Sequence, residues 1–229
     1  MNDNISLKII ATIRTGFRSK FGIPRQSGLV SGSKAVIVFE PEYRNDEALR
    51  GLENFSHLWL VWKFSETVSE KWSPTVRPPK LGGNKRMGVF ATRAPYRPNP
   101  IGLSSVKLDS IEYGTSDGTI LHISGADLLD GTPIYDIKPY IAYSDSHPDA
   151  VCGFADEVYG NRLKVDFGGN DKDLPTEIKE QLEEILACDP RPGYQDDSER
   201  IYKFEYFSYA VSFKVENDTL TVLSIKHGV

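Results

Sequence analysis

Three stretches concentrate the residue types that chemistry needs. The first, ATRAPYRPNPIG (Ala91–Gly102), sets Arg93, Arg97 and Asn99 among Pro95, Pro98 and Pro100, with no carboxylate. Proline fixes its own φ and pushes the residue before it into extended backbone, so this loop is stiff before any ligand arrives. Less entropy is then lost when Arg93, Arg97 and Asn99 engage a ligand. Gly102 closes the loop and admits either a close backbone approach or an unusual φ. The second stretch, PRQSG (Pro24–Gly28), is a Pro-to-Gly turn carrying Arg25 and Gln26. The third, DLLDGTPIYDIKPY (Asp127–Tyr140), gathers Asp127, Asp130 and Asp136 around Gly131 and two prolines. A plain Asp-Gly turn between strands would explain the third stretch without a ligand. The double arginine of the first asks for more than a turn.

Other chemistries lack their residues. His57, His122, His147 and His227 show neither His-x-His nor HExxH spacing, so no metal site is expected. The one G-x-S-x-G match, Gly114–Gly118, joins two strand-like segments rather than a strand and a helix, so it is no nucleophile elbow, and there is no Walker loop. LGGNKRMG (Leu81–Gly88) is rich in glycine, yet it has neither the G-x-G-x-x-G order nor the helical continuation of a Rossmann site. Cys152 and Cys188 stand far apart, which points to a reducing compartment rather than a disulfide scaffold. The opening MNDNISLKIIATIR has no apolar run long enough for a signal peptide or a membrane span. A cytoplasmic protein without a membrane partner is expected.

The elements that must position these loops are mostly strands. Leu7–Ile13, Ala35–Phe39, His57–Phe64 and Gly88–Thr92 are short, β-branched or aromatic, and bounded by Gly, Pro or polar residues. SSVKLDSIEY and TILHIS follow, joined by the turn Gly114–Gly118, which predicts a hairpin. A short helix is expected around Asn45–Leu52. Many short strands without regular helices between them predict a mainly β, α+β chain with an N-terminal barrel over residues 1–148. A small C-terminal α+β module is expected over residues 149–229. Its helix carries Ile178, Leu182 and Ile185 on one face, with Asp173 as N-cap and Pro190 as stop. Phe204–Val215 and Thr219–Ile225 read as a hairpin turning at Glu216–Asp218.

Charge is segregated along the chain. The formal net charge is −5, which taken alone disfavours a non-specific nucleic-acid binder. Yet Asn4–Phe39 contains no Asp or Glu while holding Lys8, Arg14, Arg18, Lys20, Arg25 and Lys34. Lys71–Leu108 is also acid-free and holds Lys71, Arg77, Lys80, Lys85, Arg86, Arg93, Arg97 and Lys107. Fourteen of the 27 basic residues therefore lie in two runs, which would make a polyanion-binding face if the fold brings them together. Solvated faces with no partner are the plainer alternative.

At these residues the chain resembles a known family. RPPKLGGNKRMGVFATRAPYRPNPIGLS followed by DLLDGTPIYDIKPY is similar to the TsaA-like (TrmO) family of tRNA methyltransferases. The likeness extends back through IRTGFRSKFGIPRQSGLV and LRGLENFSHLWLVW and forward to DPRPGY. The resemblance implies an S-adenosylmethionine-dependent enzyme on a non-Rossmann β-barrel, active as a homodimer. Its substrate would be N6 of threonylcarbamoyl-adenosine beside the anticodon of threonine tRNA. Residue by residue it implies a cofactor pocket of Gln26, Ser27, Gly28, Ser65, Glu66, Arg93, Leu103, Leu128, Leu129, Asp130 and Gly131. Ser65–Glu66 departs from the bulkier His-Gln-like pair expected of relatives. In this reading Arg93 meets the methionyl carboxylate, Asp130 binds ribose hydroxyls or the ammonium, and the three leucines pack on adenine. RNA contacts fall to Arg25, Arg77, Lys80, Lys85, Arg86, Arg97 and Arg191. Asp136, Tyr194 and the substrate's own carboxylate are alternatives for proton acceptor.

Two other readings stand beside this one. One is a catalytically silent RNA-binding module, the other an enzyme using the same cofactor on a small molecule or protein. Assembly is a separate expectation. In HLWLVWKF, Trp59 and Val61 alternate with Leu60 and Trp62, so one pair faces the core and the other an apolar surface outside it. A two-fold dimer would cover that outer pair; the short helix and the C-terminal module could instead cover it within one chain.

Overall fold

The computed structural model of the chain describes residues 6–66, 72–81, 85–158, 160, 162–191 and 197–228. Alternating apolar side chains set its first layer. In β1 (Ala11–Thr15) and β2 (Lys34–Phe39), Ala11, Ile13, Ala35, Ile37 and Phe39 point to one side and are buried. In β3 (His57–Lys63) the inward set is Leu58, Leu60 and Trp62. After the short ribbon of β4 (Thr75–Val76) and β5 (Met87–Gly88) come β6 (Ile101–Thr115), β7 (Gly118–Ser124) and β8 (Pro133–Pro139). Val106, Leu108, Leu121, Ile123 and Ile134 complete the inward face. The six long strands close in the order β1-β2-β7-β6-β3-β8, every pair antiparallel, so no edge is left unpaired.

The second layer is a sheet in the order β10-β11-β12-β9, built from β9 (Lys164–Asp166), β10 (Tyr202–Tyr206), β11 (Tyr209–Glu216) and β12 (Thr219–His227). Leu182, Ile185 and Leu186 of the helix Thr176–Ala187 pack with Tyr206, Val211, Phe213, Leu220 and Val222 of the sheet. The chain's first third enters this second core: Phe17 and Val30 are buried in it, with Phe21 and Ile23 against it. Phe17 pairs with Tyr206 as an isolated bridge, and the Phe207 amide donates to the Gly16 carbonyl at 2.8 Å. The two cores are thus tied by the segment that follows β1.

Several expectations change. Gly88–Thr92 is not a strand: Val89–Ala91 forms a 3-10 turn, closed by Thr92 donating through Oγ1 to the Val89 carbonyl. The short helix around Asn45–Leu52 is present as two 3-10 turns, Asp46–Leu49 and Leu52–Asn54, with Asn45 accepting from the Glu47 amide as the first one's cap. Asp173 does not cap the C-terminal helix; Pro175 holds that position and carries no side-chain acceptor. Phe204–Val215 is two strands, because Phe207 turns at φ 51°. The hairpins turning within Gly114–Gly118 and Glu216–Asp218 stand as read, as does the barrel, which has six strands. No helix of the described residues is long and apolar enough to cross a membrane.

Candidate functional site

β1 and β3 end, and β6 and β8 begin, at one mouth of the barrel, because antiparallel neighbours exchange ends. A cavity of about 470 Å³ opens there. That volume lies within the range of roughly 300–1,000 Å³ usual for small-molecule and cofactor sites. Its walls come from the segment Lys20–Gln26, the end of β3 with Phe64–Glu66, the proline-rich loop running into β6, and the loop before β8.

Trp62 forms the floor. Its register partner on β6 is Gly102, and the indole lies across that glycine. A Cβ at residue 102 would come within 2.5 Å of three indole carbons, so the close approach, not an unusual φ, is what this glycine provides. The indole Nε1 donates to Ser104 Oγ at 2.9 Å, and Ser104 Oγ donates to Asp127 Oδ1 at 2.6 Å. Phe64 packs on the same indole with centroids 4.4 Å apart. The register of β3 against β8 shifts between Val61 and Trp62, at this point of the wall.

Asp127 is the carboxylate at the base of the cavity. Burial pushes its pKa above the ordinary value of 3.8, opposed by the Ser104 hydrogen bond, backbone donors and the nearby Arg93 charge. Arg93 reaches over the cavity and donates to the Gln26 side-chain carbonyl in a short contact. Arg97 donates through Nη1 to the carbonyls of Val89 at 3.0 Å and Thr92 at 2.7 Å, so its guanidinium braces the loop while lining the cavity.

Of the cofactor residues expected from sequence, Gln26, Ser65, Glu66, Arg93, Leu103 and Leu129 line this cavity. Ser27 stands behind it, accepting through Oγ from the Ser105 amide at 3.1 Å. Gly28, at φ 78°, donates its amide to Gly125, and Gly131, at φ 76°, donates its amide to Ile13. Leu128 does not face the cavity: it is fully buried in the barrel core. The side chain of Asp130 accepts from the Thr15 amide at 2.9 Å, and the acid of this loop that lines the cavity is Asp127.

The basic residues divide. Arg25 and Arg97 line the cavity, and Arg77, Lys85 and Arg86 are exposed. Arg25 donates to the backbone carbonyl of Arg191, whose own side chain forks onto Asp189 at 2.9 and 3.2 Å. The side chain of Lys80 lies outside the described residues, as does Tyr194. The other proton-acceptor candidate, Asp136, sits on β8 paired with Lys138 at 2.8 Å and is not in the cavity wall. The first acid-free run does not act as one surface: Lys8, Arg14 and Lys34 pair with Glu42, Asp117 and Asp109. Only its Lys20 and Arg25 meet the second run at the mouth.

Trp62, Phe64, Lys20 and Thr132 also line the cavity and were not singled out as site residues. The pairing of Trp62 with Gly102 had a visible signal, a lone glycine entering a strand rich in β-formers. Its partner was not legible, because strand register is a tertiary fact. Among the described residues no cluster of three His, Cys, Asp or Glu side chains could hold a metal ion.

Residues 12–146 match the family model described as the tRNA-methyltransferase O N-terminal domain, and residues 160–228 match the TrmO C-terminal domain. A tRNA (adenine(37)-N6)-methyltransferase of Escherichia coli is 40% identical over 95% of this chain and 96% of its own. An enzyme of the same description from Eikenella corrodens is 47% identical over 71% of this chain and 92% of its own. A crystal structure of TrmO from Pseudomonas aeruginosa superposes with a TM-score of 0.80 at 34% identity, covering 100% of this chain and 99% of that one.

Proposed function

Because this chain belongs to the tRNA-methyltransferase O family, we propose that its barrel-mouth cavity binds S-adenosylmethionine and receives a tRNA base. The chain is a tRNA methyltransferase acting at N6 of adenine 37. The finer reading is that this adenine carries a threonylcarbamoyl group and lies in threonine tRNA.

The cavity's donor set fits the cofactor. S-adenosylmethionine supplies, when bound, a methyl group activated by its sulfonium charge. Arg93, already steered by Gln26, offers a fork to a carboxylate. Asp127 offers a partly desolvated negative charge to a cationic group, and Leu103 and Leu129 offer apolar surface to an aromatic ring. The observation that carries the reading is this meeting of a half-buried acid, a steered arginine and two leucines in one cavity, rimmed by a stiff basic loop. Catalysis then rests mainly on alignment: the loop's prolines and the Arg97 brace hold the walls fixed while the base enters. The lining carboxylates among the described residues are Asp127 and Glu66, so proton acceptance at N6 falls to one of these or to the substrate's own carboxylate.

The assignment extends to assembly and organisation. Residues 1–148 form the methyltransferase barrel and 149–229 a C-terminal module, acting in the cytoplasm as a two-fold dimer. Trp59 and Val61 are half-buried on the outer face of β3, with Trp59 donating to Asp145 at 2.8 Å and tilted against Tyr140. Part of that face is therefore covered within the chain, and the partner of a two-fold dimer would cover the rest. Sedimentation equilibrium at micromolar protein tests the dimer, and a fully active monomer refutes it. For the reaction, incubation with labelled S-adenosylmethionine and threonine tRNA, followed by nucleoside mass spectrometry, is decisive. Methyl transfer to N6 of the modified adenosine is expected. Methylation of a protein or small molecule instead, or of nothing, overturns the reading.

A further inference from the structure

Outside the cavity, two large aromatic side chains face solvent together. Phe90 is 70% exposed and Trp72 is 49% exposed, and their rings stack with centroids 6.2 Å apart and planes 24° from parallel. The Arg97 guanidinium lies 5.5 Å from the centre of the Phe90 ring. The scaffold beneath is fixed. β4 and β5 form a ribbon, the Val89 amide donates to the Pro74 carbonyl at 3.0 Å, and the Ser73 amide donates to Tyr96 at 3.3 Å. Single exposed apolar residues need no explanation, but a stacked pair held in register and flanked by a guanidinium is an arrangement with a use.

We propose that Trp72 and Phe90 are a stacking platform for an unpaired base of the RNA substrate, next to the base that enters the cavity. The proposal rests on the tRNA reading above. Three observations choose this occupant. The platform lies in the acid-free run, with exposed Arg77, Lys85 and Arg86 nearby in sequence, which suits a polyanion. It is continuous with the cavity, because Arg97 lines the cavity and touches Phe90 at once, and Thr92, Arg93 and Pro95 of the same loop also form the wall. And a base that leaves its stack to reach the cavity strips its neighbour of a stacking partner, which an exposed aromatic pair replaces. A second copy of this chain fits less well. A two-fold contact through this patch would press its positive charge against the same charge on the partner, whereas RNA neutralises it.

The full-length chain is compared with Phe90→Ala, Phe90→Leu and Phe90→Tyr in steady-state methylation of tRNA, with cofactor affinity measured by calorimetry. Phe90 is mostly exposed, so these changes leave the cores intact. Phe90→Ala and Phe90→Leu are expected to raise the KM for tRNA about 5- to 50-fold, Phe90→Tyr to stay near wild type, and cofactor affinity to hold throughout. The salt dependence of tRNA binding should not change, since no phosphate contact is removed. Quenching of indole emission by an anticodon stem-loop should diminish in Trp72→Phe. An unchanged KM in Phe90→Ala, a KM in Phe90→Leu equal to wild type, or a loss explained by dissociation of a dimer in sedimentation would each overturn the platform while leaving the tRNA reading standing. A wild-type protein that methylates no tRNA would overturn both.

Discussion

Replacing Gly102 with alanine tests the geometry of the cavity floor through one methyl group. The new Cβ would meet Cδ2, Cε2 and Cζ2 of Trp62 at 2.5 Å or less, where ordinary contact needs more than 3.4 Å. The indole cannot yield inward, because Trp62 is buried in the barrel core. Its open direction is the cavity. Moving that way breaks the Nε1–Ser104 hydrogen bond, a net loss of about 0.5–1.5 kcal/mol, and overpacking adds about 1–3 kcal/mol. The reduced freedom of alanine in the unfolded chain offsets about 0.4–1 kcal/mol. The expected result is a destabilisation of about 0.5–4 kcal/mol in urea unfolding followed by circular dichroism, with altered indole emission and weaker cofactor binding. Gly88→Ala is the control. That residue has φ −58° and nothing within 4 Å of a built Cβ, so its variant should stay within about 0.5 kcal/mol of wild type. A Gly102→Ala protein as stable as wild type, with unchanged emission, refutes the account of this strand pair.

Other consequences are equally direct. Arg93→Ala should weaken S-adenosylmethionine binding by about 1.5–3 kcal/mol in calorimetry, the range for a hydrogen bond to a charged group, and an unchanged affinity in a folded variant removes Arg93 from the carboxylate. Neutralising Lys85 and Arg86 together should raise the tRNA KM and flatten its salt dependence without touching cofactor affinity; an unaltered slope means they face away from RNA. Asp127→Asn should inactivate the enzyme yet stabilise the cofactor-free fold at pH 7. The native carboxyl keeps its proton to higher pH than the unfolded one, so wild-type stability falls as pH rises from about 3.8 through the raised native value. The advantage of the variant should therefore shrink as pH falls toward 3.8. A stability difference independent of pH removes burial as the cause.

Sequence alone determined the properties that depend on neighbours along the chain. Alternation in HLWLVWKF predicted which of Leu60 and Trp62 against Trp59 and Val61 would turn inward only as pairs, and the inward pair proved to be Leu60 and Trp62. Prolines and turn glycines marked the loops, and the motifs identified the family. What failed locally failed for tertiary reasons. Phe204–Val215 looked like one strand because every residue favours sheet, but Phe207 must turn so that its amide can reach Gly16 across to the barrel segment. Gly88–Thr92 looked like a strand because Val and Phe favour one, yet the 3-10 turn leaves Val89 buried and Phe90 exposed. The resemblance named Asp130 for the cofactor pocket, whereas the acid of that loop which lines the cavity is Asp127, three residues before it. Only closure of the barrel decided it, by setting Ser104 of β6 against Asp127 and the Thr15 amide of β1 against Asp130. The same closure paired part of the first basic run with acids distant in the chain while gathering Lys20 and Arg25 to the mouth with Arg93 and Arg97. Charge and hydrophobic period are written along the chain; which groups meet is set by strand register and by the order in which strands close the barrel.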